Sequence, residues 1–331
     1  MGTIAKLKRR FSVSLERLGE DSLLYKAFYG LNLLFFHASD RMKLVHNGEE
    51  DPGITYYVIR PSSTLEGLLS SYFNVAKNLL WANDKGYISY VDYENRHCQY
   101  YTGREIHGTK NAWEYYFEQP SGITRTDLSR KKNVLLSGIS KDKQSKKAFD
   151  KSLKAIQSGK YREIFRSISV RKDLLEEAER RHSELFGTEK VLGVYARGTD
   201  YVSLKPKGHP IQPTIEMILS KTDEYLKKYA VGHVFVVTED YSIYSALKTK
   251  YGALVISSDE DFVKDYRPGT YISDTFANDP YERGKNYLIR LLLLSRCDYL
   301  VSGITNGSLF ARCQREEEYE DSYWFELGLY E

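Results

Sequence analysis

"VLGVYARGTDYVSLKPKGHPIQP" runs from Val191 to Pro213 and changes character halfway. Val191, Leu192, Val194 and Tyr195 form a short, mostly apolar run of strand type. It then delivers Arg197, Gly198, Thr199 and Asp200 in succession, and a loop with Pro206, Gly208, His209 and Pro210 follows. The same alternation continues to the end of the chain. "PTIEMILSKTDEYLKKYA" reads as a helix, "HVFVVTED" as a strand, "YSIYSALKTKYG" as a helix and "ALVISS" as a third strand. "NYLIRLLLLSRC" reads as a helix, "DYLVSG" as a fourth strand, and "GSLFARCQ" opens another helix. Near-continuous apolar strands between helices predict a parallel, doubly wound sheet.

Upstream, "ITYYVIR" (54–60) is rich in β-branched and aromatic residues and reads as a strand. Leu68, Leu69, Tyr72, Phe73, Ala76, Leu79 and Leu80 then recur at helical spacing, with a helix start near Ser62–Gly67, and "GYISYVD" returns to strand character. This is a βαβ unit with a small-residue turn at its helix start. Between Lys131 and Lys190 the chain becomes strongly charged. Ala148, Leu153 and Ile156, then Leu174, Leu175 and Ala178, fit surface helices there, so the domain junction is placed in this region. The expected fold is α/β: two Rossmann-like doubly wound domains facing a cleft, residues 1–165 with a helical linker and residues 166–331.

A chain of 331 residues suits two domains of ordinary size. Its 48 Lys+Arg against 45 Asp+Glu leave a net charge of +3, too balanced to indicate a nucleic-acid binder. Cys98, Cys297 and Cys313 are odd in number and make no ligand pair, which fits reduced thiols in a cytosolic protein. No apolar stretch approaches the roughly 20 residues that span a bilayer. The basic N-terminus, "MGTIAKLKRRFSVSLERLGE", lacks the uninterrupted apolar core of a signal peptide. Ile4, Leu7, Phe11 and Leu15 can share one helical face there, either as an ordinary solvated helix or docked on an anionic membrane surface.

Ligands of doubly wound sheets bind beyond the carboxyl ends of the strands. Those ends carry Arg197, Thr199 and Asp200; then Thr238, Glu239 and Asp240; then Ser257, Ser258 and Asp259; then Gly303 to Ser308, "GITNGS". Such a rim suits a polar, phosphate-bearing ligand. Arg197 can give bidentate hydrogen bonds to phosphate or pair with Asp200 to hold the loop. The "TNGS" turn can present backbone N–H groups to an anion or be an ordinary helix cap. Glu239–Asp240 fits a cap as well, and His209 can simply brace its loop. There is no metal-ligand spacing, no GxGxxG or Walker sequence and no nucleophile elbow.

The order of these pieces says more than any one of them. "GVYARGTDY…HP", then "FVVTED", then "RGKNYLIRLLLLSRCDYLVSGITNGS", resembles the carboxyl-terminal domain of the α-1,6-fucosyltransferase superfamily. That group contains the nodulation and N-glycan core enzymes and, more distantly, the protein O-fucosyltransferases. "EGLLSSYFNVAKNLLWANDKGYISYVD" is similar to its Gly-rich amino-domain loop and helix, which makes Gly67 a candidate, and "NAWEYYFEQP" (Asn111–Pro120) to a segment of bacterial surface-glycan relatives. The resemblance covers roughly residues 60–120 and 160–312. It implies a GT-B architecture, a nucleotide-sugar donor (usually GDP-fucose) on the carboxyl-terminal domain, inversion at the sugar carbon, and no metal or other cofactor. Arg197 matches the arginine that contacts donor phosphates, and Asp200 the aspartate that orients it. Thr305, Asn306, Gly307 and Ser308 occupy the phosphate-contacting turn, and His209–Pro210 the His-Pro loop. Thr199 and Thr238 complete the candidate rim.

Departures from that pattern matter. Tyr195 stands for the motif histidine and Gly198 for its second arginine. Arg290 takes the place of an acidic residue that reads guanine, and Lys205 that of a candidate base glutamate, which leaves Asp200, Glu239 and Asp240 as the nearest bases. The expected activity is metal-independent, inverting glycosyl transfer from a nucleotide sugar to a glycan acceptor in bacterial surface polysaccharide or lipopolysaccharide synthesis, at the cytoplasmic side of the membrane. The alternatives are a different nucleotide sugar, or a nucleotide-sugar-binding protein with impaired catalysis.

Overall fold

The computed structural model describes residues 42–63, 66–95, 98–138, 149–258, 262–272, 275 and 279–331. The expectations for Ile4, Leu7, Phe11, Leu15, Ala148 and Asp259 fall outside these residues.

The amino-terminal sheet holds β1 (Lys43–Val45), β2 (Glu50–Ile59), β3 (Ile88–Val91) and β4 (Lys131–Leu136) in the order β1-β4-β2-β3. β2 pairs in parallel with both β3 and β4, and β1 is an antiparallel edge on β4. This sheet is therefore smaller and more mixed than a full doubly wound sheet. The βαβ reading forms as expected: helix α1 (Leu68–Asp84) follows Gly67 and lays Leu69, Tyr72, Phe73, Val75, Ala76 and Leu79 into the core.

β4 adds a strand that the sequence reading did not contain, at the start of the strongly charged stretch. Its lysines sit at the strand's start, where Lys131 pairs with Glu50 and Asp51, while Val134 is fully buried. α2 (Arg125–Leu128) precedes it, closed by a Thr124–Asp127 capping box. Three helices connect the sheets: α3 (Leu153–Gln157), α4 (Arg162–Arg166) and α5 (Lys172–Phe186).

The second sheet fulfils the alternation from Val191. In chain order come β5 (Val191–Tyr195), α6 (Thr199–Leu204), α7 (Ile215–Lys228), β6 (His233–Val237), α8 (Tyr241–Tyr251) and β7 (Val255–Ile256). Then come α9 (Pro280–Leu294), β8 (Tyr299–Gly303), α10 (Asn306–Cys313) and β9 (Asp321–Phe325), a fifth strand beyond the four expected. All pairings are parallel, in the order β7-β6-β5-β8-β9. Counted from β5 this is 3-2-1-4-5, the order of a Rossmann-type sheet, and its direction reverses between β5 and β8. α9 begins earlier than its apolar run because Asp279 caps it, accepting from the Tyr281 and Glu282 N–H groups, with Pro280 at the first position. Leu291, Leu293 and Leu294 of α9 are fully buried, each contributing about 1.5–3 kcal/mol.

One apolar core joins the two sheets. Tyr72 of α1 meets Phe310 of α10 edge-on at 4.9 Å, and the Tyr116 hydroxyl donates to the Tyr281 carbonyl at 3.1 Å. α5 packs on α9, and α3 packs on α10. The loop before α1 is thereby held opposite the carboxyl ends of β5 and β8.

Candidate functional site

At the switch point between β5 and β8 lies a cavity of about 330 Å³, within the range of small-molecule sites. Gly67, Leu68, Leu69 and Ser70 line it from the amino-terminal unit, and Tyr195, Arg197, Asp200, Thr238, Glu239 and Thr305 from the strand ends opposite. His209, Arg290, Asn306 and Gly307 also line it. The structure thus gathers most of the residues singled out from sequence around one space. Thr199, Asp240 and Ser308 stand behind its wall.

Arg197 extends from the end of β5 with its side chain 19% exposed. Its Nε donates to Glu239 Oε1 at 2.9 Å, its Nη2 donates to Asp200 Oδ1 at 2.8 Å, and its guanidinium lies 4.9 Å from the Tyr201 ring centre. Burial disfavours its charge, but Glu239, Tyr195 and Asp200 outweigh that and hold its pKa well above the ordinary value. The ion-pair reading of Arg197 is realised, and its Nη1 is directed at no described partner on a cavity wall. The two carboxylates are fixed in turn. Asp200 Oδ2 accepts from the Ile272 N–H, and Glu239 Oε1 also accepts from the Gly198 N–H and the Thr199 hydroxyl. Glu239 Oε2 is engaged by no described donor.

Asp240 is the cap that its position suggested. Oδ1 accepts from the Ser242 N–H at 2.8 Å to start α8, and Oδ2 accepts from the Thr199 N–H at 3.3 Å. This explains Gly198. A Cβ there would fall 2.0 Å from Asp240 Oδ2 and 2.7 Å from its Cβ and Cγ, so no arginine fits where the resemblance has a second one. Thr199 is buried at φ +44°, and Lys205 is an exposed residue ending α6, away from the cavity.

The "TNGS" turn is also capped from within. Thr305 Oγ1 accepts from the Gly307 and Ser308 N–H groups at 3.1 and 3.4 Å, and Ser308 Oγ accepts from the Thr305 N–H at 3.0 Å. Ser308 is thus a buried cap residue. The Asn306 N–H, at the first position of α10, has no intrahelical partner, and the helix dipole adds positive potential there. Asn306 Nδ2 donates to Ser70 Oγ at 3.0 Å, tying α10 to the start of α1 across the cavity.

Thr305 Oγ1 donates to the Tyr195 hydroxyl at 2.9 Å, and that hydroxyl lies 3.4 Å from the hydroxyl of Tyr287. Burial raises both phenols, Tyr287 well above its ordinary value, so both stay protonated. At the cavity mouth His209 bonds the Tyr201 hydroxyl at 3.1 Å, as a loop brace would. Its ring is accessible, yet the cleft walls desolvate it and, with a smaller push from Lys151, lower its pKa.

Sequence reasoning missed Gln99, Tyr100, Tyr201, Tyr271, Arg283 and Tyr287, all lining the cavity. Arg283, Tyr287 and Arg290 share one face of α9 at i, i+4 and i+7, a spacing visible in the sequence. Glu66, beside Gly67, was missed too: burial raises its carboxyl above the usual range, opposed by the Ser62 and Ser71 hydroxyls that bond it. "NAWEYYFEQP" is structural. Asn111 accepts from the Tyr93 and Trp113 N–H groups and donates to the Val91 carbonyl, and Trp113 stacks on Phe117. Among the described residues no group of three or more His, Cys, Asp or Glu can hold a metal ion, and no helix is long and apolar enough to cross a membrane.

No family model and no curated protein sequence matches the chain. Among solved structures it is similar to NodZ α-1,6-fucosyltransferase soaked with GDP-fucose: 13% identity, 78% of this chain and 92% of that one, TM-score 0.48. It is similar also to fucosyltransferase NodZ from Bradyrhizobium, at 12% identity, 78% and 93% coverage and TM-score 0.47. With POFUT1 in complex with GDP-fucose the values are 12% identity, 82% and 74% coverage, and TM-score 0.37. Likeness at this level fixes no residue's role in this chain.

Proposed function

We propose that the chain is a glycosyltransferase of GT-B type that binds a nucleotide sugar between its two sheets and transfers the sugar, with inversion, to a glycan hydroxyl. The observation that carries this reading is the cavity at the β5/β8 switch point, where Arg197 and the start of α10 face the loop before α1. The ordered motifs of the sequence support the same reading. In the reaction the acceptor oxygen bonds to the anomeric carbon as the bond from that carbon to the diphosphate oxygen breaks. Negative charge then grows on the leaving diphosphate, and Arg197 with the Asn306 N–H would stabilise it as fixed donors, without a metal. The acceptor proton passes to Glu239 Oε2, the oxygen that no described donor occupies.

The resemblance favours GDP-fucose, and Arg290 argues against guanine. A guanidinium only donates, whereas the N1–H and N2–H edge of guanine needs an acceptor. A surface polysaccharide or lipopolysaccharide glycan is the acceptor class we propose, at the cytoplasmic side of the membrane. The test is release of nucleoside diphosphate from GDP-fucose and from UDP- and dTDP-linked sugars, and of CMP from CMP-linked sugars. The wild type should turn over at least one, and Glu239→Gln should lower kcat while leaving donor affinity near wild type. Binding without turnover of any donor would identify a nucleotide-sugar-binding protein instead.

A further inference from the structure

The hydroxyls behind Arg197 form a one-way chain. Thr305 Oγ1 accepts from two backbone N–H groups, Gly307 and Ser308, which can only donate. Both of its acceptor positions are then filled, so its single hydrogen goes to the Tyr195 oxygen at 2.9 Å. Tyr195 and Tyr287 bring two further phenolic hydrogens, and the described residues offer them one mutual contact, at 3.4 Å. That contact can use only one hydrogen. At least one phenol is therefore left to donate elsewhere, and both rings line the cavity.

The position of this pair is fixed by Gly307. A Cβ at that residue would lie 2.4 Å from the Tyr287 oxygen and 2.6 Å from the Tyr195 oxygen, so the two hydroxyls sit directly over the first turn of α10. Arg197 stands on the same side, close enough to act electrostatically on both phenols. Around this point Arg197 Nη1, the Asn306 N–H and at least one phenol are donors with unused capacity, while Glu239 Oε2 is an acceptor with unused capacity on the same wall. A ligand oxygen bearing negative charge is the complement of those donors.

We propose that Tyr195 and Tyr287 act as an uncharged donor pair that hydrogen-bonds a diphosphate oxygen of the ligand, with Tyr287 delivering the hydrogen. This rests on the reading of the cavity as a nucleotide-sugar site and adds to it the residue that grips the phosphate beside Arg197.

The test is calorimetric titration of the wild type, Tyr287→Phe and Tyr195→Phe with GDP, UDP and CDP, and with the matching nucleosides. Phenylalanine keeps each ring and removes only the hydroxyl. Tyr287→Phe should weaken the tightest diphosphate roughly ten- to hundredfold, the range of a hydrogen bond to a charged acceptor, and leave the nucleoside within twofold. Tyr195→Phe should show the same selective loss and serves as the second variant if Tyr287→Phe fails to fold. Wild-type diphosphate affinity in the variants, or an equal loss for diphosphate and nucleoside, overturns the donor pair while leaving the nucleotide site intact. If the wild type binds no diphosphate at all, the reading of the site fails and the donor pair with it.

Discussion

Replacing Gly198 by alanine adds one methyl group at the point where β5 turns into α6, and the structure sets its cost. The new Cβ would lie 2.0 Å from Asp240 Oδ2 and 2.7 Å from that residue's Cβ and Cγ. Because the clash reaches the Asp240 Cβ, turning the carboxylate alone does not relieve it. Asp240 must leave its place, which breaks the cap on the Ser242 N–H and the bond from the Thr199 N–H. A lost cap costs about 1 kcal/mol and the second bond about 1 kcal/mol more. Residual strain from overpacking adds about 1 kcal/mol, giving a total of about 3 kcal/mol. Urea denaturation of Gly198→Ala, Asp240→Ala and the double variant measures this as a cycle. Asp240→Ala alone should lose about 2 kcal/mol; because alanine keeps the Cβ at 2.7 Å, adding Gly198→Ala to it should still cost about 1 kcal/mol, a coupling of about 2 kcal/mol. Additive losses, or a Gly198→Ala protein as stable as wild type, would refute the account of why no second arginine stands here.

Three further outcomes follow from the same contacts. Gly307→Ala pushes against the Tyr195 and Tyr287 hydroxyls and should abolish nucleotide stabilisation of the protein while changing its own Tm by only a few degrees, checked by scanning fluorimetry. Asn111→Ala strips bonding partners from Val91, Tyr93 and Trp113 at a site 1% exposed, and should cost about 3–5 kcal/mol in denaturant unfolding. Glu66 has its carboxyl raised by burial, so its contribution is fully present below the unfolded pKa and is lost as pH rises through the folded value. Glu66→Gln should therefore match wild type in acid and exceed it in Tm near neutral pH. A wild type that gains on the variant as pH rises would contradict this.

The carboxyl-terminal sheet was legible because parallel strands buried on both faces write themselves as apolar runs, and their ends name the site. Arg197, Glu239 and Thr305 could be picked out for that reason alone. β4 was hidden by Lys131 and Lys132 at its start, whose partners Glu49, Glu50 and Asp51 lie some 80 residues upstream. The roles of Asp240 and Ser308 were open in the sequence because a cap and a ligand contact use the same residue types, and only hydrogen-bond geometry separates them. Tyr100 and Gln99 were out of reach, since nothing local says that their segment crosses to α9, where the Arg283 guanidinium lies 5.3 Å from the Tyr100 ring centre. Arg283 and Tyr287 were within reach through their spacing with Arg290. The bar to a side chain at Gly198 depends on a residue 42 positions away and exists only in three dimensions.

The central claim is that the cavity at the β5/β8 switch point grips a nucleoside phosphate through Arg197. It is tested most directly by thermal shift of the wild type and Arg197→Ala against GDP, UDP and CMP, each variant measured relative to its own unliganded Tm. A ligand at a hundred times its Kd stabilises by about 2.7 kcal/mol, a shift of several degrees. The account predicts that at least one nucleotide gives such a shift in the wild type and that Arg197→Ala loses it. A wild type stabilised by none of them, or a variant that responds as the wild type does, would contradict it.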